Sequence, residues 1–157
     1  MPEVELQPGD ILLVHGNSPL DAAIRWATNS PYNHAAIVAT DGASVIEAQA
    51  PFTDCVPATI YAGRADVWRL VVPSGASDIA AKLAQDYVGK PYGYREALAT
   101  GLWDVAHLPV MWRLRGLDCS GLVADCYYRA GKRLTRKPFP APGDLAWSVV
   151  IEKVGAW

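Results

Sequence analysis

Apolar and polar positions along this chain mark out short strands and amphipathic helices. Ile11-Leu12-Leu13-Val14 is a continuous apolar run after the turn signal Pro8-Gly9-Asp10, and it reads as a buried strand. Ser18-Pro19-Leu20-Asp21 supplies a cap, a first-turn proline and an acidic residue. Leu20, Ala23, Ile24 and Ala27 then keep helical spacing until Asn29-Ser30-Pro31 stops it. Two apolar segments, His34 to Ala39 and Ser44 to Ala48, flank Asp41-Gly42 and predict a β-hairpin. A further strand is predicted from Ala65 to Val72, broken by Pro73-Ser74-Gly75.

Ser77 can cap a predicted helix from Asp78 to about Val88, with Ile79, Leu83 and Tyr87 as its inner stripe. After the loop Gly89 to Tyr94, Leu98, Leu102 and Val105 predict a helix from Arg95 to about His107. The next helix starts at Asp118-Cys119-Ser120-Gly121. Its predicted stripe is Leu122, Val123, Cys126 and Ala130, and Gly131 suits its C-terminal stop. Pro138, Pro140 and Pro142 mark an extended loop. A second Pro-Gly-Asp, at 142–144, predicts a turn into a terminal strand from Leu145 to Val150. The resulting order predicts an α+β fold, an antiparallel sheet packed against helices.

Composition narrows this picture. The 157 residues, 51% hydrophobic and 19% charged, predict a single folded domain over 1–157. A formal net charge of −2 gives no electrostatic case for nucleic acid. The basic cluster Lys132, Arg133, Arg136 and Lys137 reads as a solvated loop. No stretch of 18 apolar residues occurs, so no integral membrane segment is expected. The acidic start, Met1-Pro2-Glu3-Val4-Glu5, lacks a signal-peptide pattern, so synthesis in the cytoplasm is expected. Cysteines 55, 119 and 126 are odd in number and lack C-x-x-C spacing, which argues against a disulfide framework or a zinc site. No metal or cofactor is expected.

Cys119 changes the picture most. A cysteine at a helix start sits among free N–H groups and a partial positive charge, which favour the nucleophilic thiolate. Hydrolysis through a thiolate also needs an imidazole to move the proton and a group to orient that imidazole. The histidines are His15, after a strand; His34, opening a strand; and His107, at a helix end. Glu47 favours His34, because the two lie on adjacent strands of the predicted hairpin and cross-strand neighbours can meet. Gln49, two residues further on, shares the face of Glu47 in a regular strand and is the reserve orienting group. Both polar side chains could instead face solvent.

The motifs together resemble a known family. Gly89-Lys90-Pro91-Tyr92, Asp118-Cys119-Ser120-Gly121-Leu122-Val123, Gly131 and Pro142-Gly143-Asp144-Leu145 resemble the opening half of NlpC-type cysteine hydrolases. Pro8-Gly9-Asp10-Ile11, His34-Ala35-Ala36-Ile37-Val38 and Val45-Ile46-Glu47-Ala48 resemble that family's closing half. Here the cysteine follows the histidine by 85 residues, the reverse of the usual order. This arrangement is similar to the circularly permuted, YiiX-like branch of the papain-like fold, and the likeness spans most of residues 8–150.

The resemblance implies a permuted papain-like fold with a barrel-like antiparallel sheet and the nucleophile at a helix N-terminus. It implies Cys119 as nucleophile, His34 as base and acid, and Glu47 as orienting group. Tyr92 is implied near the cysteine, where its hydroxyl could help hold an oxyanion. Tyr94, Trp103, Trp112 and Gln49 are the candidate substrate contacts. Two features depart from the unpermuted pattern. The orienting residue is a glutamate, and residues 95–117 are longer than the usual link before the cysteine. That segment, with Leu102, Trp103, Val110, Met111 and Trp112, could be a lid, a substrate wall or extra core.

The implied activity is a cysteine peptidase or amidase that cleaves peptidoglycan stem peptides through a thioacyl intermediate. A phage- or toxin-like enzyme, virion-associated or delivered to the cell wall by lysis or a secretion machine, would fit. Two alternatives are a lipid acyl hydrolase or acyltransferase, and a catalytically silent binding or virion-assembly module of the same fold. The sequence leaves the oligomeric state open.

Overall fold

A computed structural model describes residues 4–16, 29–92 and 118–157. The strands are β1 (Ile11–Val14), β2 (His34–Val38), β3 (Ser44–Gln49), β4 (Phe52–Pro57), β5 (Ala65–Leu70) and β6 (Ile151–Ala156). They form one antiparallel sheet in the order β4-β3-β2-β1-β5-β6. The described helices are α1 (Ala76–Gln85), α2 (Cys119–Arg129) and α3 (Pro142–Ala146). The strands make one row with β4 and β6 at its ends. Among the described residues, strand pairing does not close the expected barrel-like ring.

The continuous apolar run of β1 follows from its place inside the sheet. Ile11 and Leu13 face the helices, while Leu12 and Val14 face the opposite side. On the helix side α2 buries Leu122, Val123, Cys126 and Tyr127 against Ile37 and Ile46. Fully burying such side chains contributes about 1.5–3 kcal/mol each, which fixes the helix on the sheet. Gly131, at φ 85°, turns the chain out of α2, a backbone conformation that glycine adopts without a Cβ penalty. The other face is covered by Val4 and Leu6, by Ala58 and Tyr61 of a short 3-10 turn (Ala58–Tyr61), and by Trp157. The Trp157 indole N–H donates to Ala58 O at 2.9 Å.

Several expectations are corrected. The predicted inner stripe of α1 is not its buried face. Ala76, Ala80, Ala81 and Ala84 are buried, while Ile79 is 48% exposed and Leu83 and Tyr87 pack at the core's edge. A Cβ on Gly9 would lie 2.3 Å from Ser77 O, so the start of α1 is pressed against the turn before β1. Ser77 does not cap α1. Gly75 holds that position without a side-chain cap, and the helix stops at Gln85 rather than near Val88.

The second Pro-Gly-Asp opens α3, not a turn into a strand over 145–150. Pro142 is at the start of this helix, and Asp144 Oδ2 accepts from the Ala141 N–H at 2.8 Å, locking its first turn. The terminal strand therefore begins at Ile151. Strand β5 ends at Leu70, before Val71 and Val72. Strand β4 has no counterpart in the sequence reading. It lies at the sheet edge, and only Thr53 of its six residues is buried, so no apolar alternation marks it. The predicted helices near 18–28 and 95–107 lie outside the described residues.

Candidate active site

Cys119 is the first residue of α2. Asp118 precedes it in extended backbone, and its side chain accepts from the Gly121 N–H at 2.6 Å. This N-cap makes the helix begin at the cysteine, so the helix's positive end and free N–H groups surround the thiol. The Ser120 hydroxyl donates to Pro140 O at 2.5 Å, tying the first turn to the proline-rich loop. Cys119 itself is 8% exposed.

The hairpin supplies the other two groups. Asp41 Oδ1 accepts from the N–H groups of Ala43 and Ser44, at 2.9 and 2.8 Å, and holds the turn between β2 and β3. Ile37 then stands opposite Ile46 and Val38 opposite Val45. Continued along the strands, this register puts Ala36 opposite Glu47 and makes His34 its diagonal neighbour on the same face. His34 Nε2 lies 2.8 Å from Glu47 Oε2. Cys119 lies close enough to His34 for the two groups to interact electrostatically. The His34 side chain keeps 15% exposure and that of Glu47 only 2%.

The electrostatics follow from these contacts. Burial alone would pull the His34 pKa down. The negative charge and hydrogen bond of Cys119, then the hydrogen bond and charge of Glu47, outweigh it and push it up to about 10. Burial alone would raise the Glu47 carboxyl. Its hydrogen bond and ion pair with His34, the Tyr61 hydroxyl and the Arg64 charge hold it below the usual carboxylate value. The arrangement favours an imidazolium beside a carboxylate.

Tyr61 is a component that the sequence reading missed. Its hydroxyl donates to the same Glu47 Oε2, and its ring lies 5.9 Å from that of His34. Burial and the carboxylate raise its pKa well above the usual phenol value, so it remains a proton donor. It sits in the 3-10 turn 14 residues past Glu47, where no periodicity singles it out. Tyr61→Phe leaves one carboxylate contact unmade in a buried place. A loss of about 1–2 kcal/mol in urea unfolding is expected. An unchanged midpoint would count against a bound role for this hydroxyl.

The remaining sequence candidates separate. His15 does not join the Cys119 group. Its Nε2 lies 3.1 Å from Asp66 Oδ2, an oxygen that also accepts from the Tyr32 hydroxyl at 2.7 Å and pairs with Lys153 Nζ at 2.8 Å. Tyr92 is half-buried and packs against the core cluster that contains Leu122 and Val123. Its N–H donates to Pro51 O at 2.9 Å. Gln49 is exposed at the end of β3. His107, Tyr94, Trp103 and Trp112 lie outside the described residues.

This arrangement of sheet and helices has a counterpart among solved structures. The chain superposes on the crystal structure of the metalloprotein yiiX from Escherichia coli O157:H7 with a TM-score of 0.74, over 98% of this chain and 99% of that one. The fold is YiiX-like. Sequence identity across the pair is 19%. No protein-family model and no curated protein matches the chain. Among the described residues no three of His, Cys, Asp and Glu stand where they could hold a metal ion together. No described helix is long and apolar enough to cross a membrane.

Proposed function

We propose that this chain is a papain-like cysteine hydrolase of circularly permuted order, with Cys119 as nucleophile, His34 as base and acid, and Glu47 as orienting group. The observation that supports this reading is the largely buried His34 ring, held by Glu47 through Nε2 and electrostatically coupled to Cys119 at the start of α2. His34 takes the thiol proton, and the thiolate attacks the amide carbonyl carbon. The oxyanion forms beside the N–H groups at the start of α2, with the Tyr92 hydroxyl as a second donor. The imidazolium protonates the leaving amine, which departs and leaves a thioester on Cys119. His34 then deprotonates a water molecule that cleaves the thioester and restores the thiol. Tyr61 acts through Glu47, holding the carboxylate under the imidazole, and is a positioning residue.

The substrate class that suits this chemistry and the NlpC-type motifs is a peptidoglycan stem peptide, cleaved as a peptidase or amidase would. The test is release of new amines from purified peptidoglycan, with fragments read by mass. The wild-type chain should release them, and Cys119→Ala should not. Equal release by both would end the proposal. Hydrolysis of a lipid ester, with stem peptides untouched, would move the same three residues to acyl chemistry. Alkylation of Cys119 by iodoacetamide no faster than that of a free thiol of pKa about 8.5 would leave a silent binding module.

A further inference from the structure

The basic loop, read from the sequence as a solvated segment, belongs to a surface that the chemistry above does not use. Four of the chain's 14 lysines and arginines fall within residues 132–137, leaving 10 against 16 acidic residues elsewhere. Arg133 and Arg136 are exposed, and neither meets a carboxylate among the described residues. Lys137, by contrast, pairs with Asp144 at 2.8 Å. Both arginines line a groove of about 550 Å³ that Trp147 and Val149 also line. Trp147 is 83% exposed and Val149 91%, although each is large and apolar. The apolar rim continues to the half-exposed Val71, whose N–H donates to Val150 O at 3.0 Å.

A site for a soluble polyanion needs the cations alone. Cations grouped around an exposed indole and valine suit an interface, where charge meets phosphate and apolar tips meet the acyl boundary. We propose that this face docks onto an anionic lipid bilayer. Trp147 and Val149 enter the headgroup boundary, and Lys132, Arg133 and Arg136 bind lipid phosphates. The excess negative charge elsewhere confines the attraction to this side. The bilayer then lies along the groove, beside the outer face of α2 where Tyr128 is 65% exposed.

The test is co-sedimentation of the full chain with vesicles of phosphatidylcholine alone or mixed with phosphatidylglycerol. Binding is expected on the mixed vesicles and should weaken with salt. Arg133→Glu with Arg136→Glu should lower the partition constant by roughly 100-fold. Trp147→Ser with Val149→Ser should lower it by about tenfold. These side chains are exposed, and circular dichroism checks that the variants keep the fold. Equal binding to neutral vesicles, or none to anionic ones, overturns the proposal. So does undiminished binding of the Trp147→Ser, Val149→Ser variant, especially if soluble polyphosphate displaces the chain; the groove would then be a polyanion site.

Discussion

Cys119→Ala and His34→Ala are each expected to lower kcat/KM on a cleaved stem peptide by roughly 10⁴-fold or more, and the double variant by little further. The physical reason is that the two act as one unit. Without the thiol there is no bond to form with the carbonyl carbon. Without the imidazole the thiol keeps its proton and the leaving amine receives none. Either loss removes the same transition state, so the effects do not multiply. What remains is binding and whatever the helix N-terminus does for an oxyanion. Single-turnover rates on one defined stem peptide would measure this. Multiplicative losses would mean that the residues work independently, and a loss below tenfold for His34→Ala would remove it from the proton path.

Glu47→Gln is expected to move the alkaline limb of the kcat/KM profile to lower pH. On the proposed mechanism that limb would report loss of the His34 proton, near pH 10, where hydrolysis would fall because the leaving amine is no longer protonated. The glutamate's hydrogen bond and charge both raise the His34 pKa, so removing the charge lets burial pull the imidazolium down. A shift of about 1–3 pH units is the usual size for loss of an opposite charge in contact. The Cys119 contribution remains and limits the movement.

Stability follows the same signs. The raised His34 value adds stability that is fully present below the ordinary 6.5 and is lost as pH rises through about 10. The lowered Glu47 value adds stability present above the ordinary 4.5 and lost as pH falls through its folded value. Glu47→Gln should therefore lack the stability that Glu47 adds at neutral pH, show no decline from this group as pH falls, and begin its alkaline decline earlier. A limb that stays near pH 10 in Glu47→Gln would separate Glu47 from the titration of His34.

The His34–Glu47 contact was legible because a hairpin writes itself locally. Asp41-Gly42 turns the chain, period-two alternation sets the faces, and two polar side chains inside apolar strands then share one side. The start of α2 was legible for a similar reason, since Asp118 and the small residues after it form a cap. What the pattern could not show depends on neighbours distant in the chain. Ile79 looked like a core residue, but the face of α1 that meets the core carries Ala76, Ala80, Ala81 and Ala84. Tyr61, only 14 residues from Glu47, carries no signal for another reason: it sits in a 3-10 turn, where no periodicity sets its face. Strand β4 escaped notice because an edge strand with one buried residue leaves little apolar rhythm.

The distance in sequence between the hairpin and Cys119 has a consequence for how the site assembles. His34 and Glu47 stand 13 residues apart, whereas Cys119 is 85 residues beyond His34. Closing the longer loop costs roughly 1.7 kcal/mol more chain entropy than closing the hairpin. A chain emerging N-terminus first also completes the hairpin before α2 exists. The imidazole–carboxylate pair is thus the early part of the folding route, and docking of α2 the late part. On the proposed function, the thiol meets its base only at the last of these steps, so partly folded chains lack the assembled site.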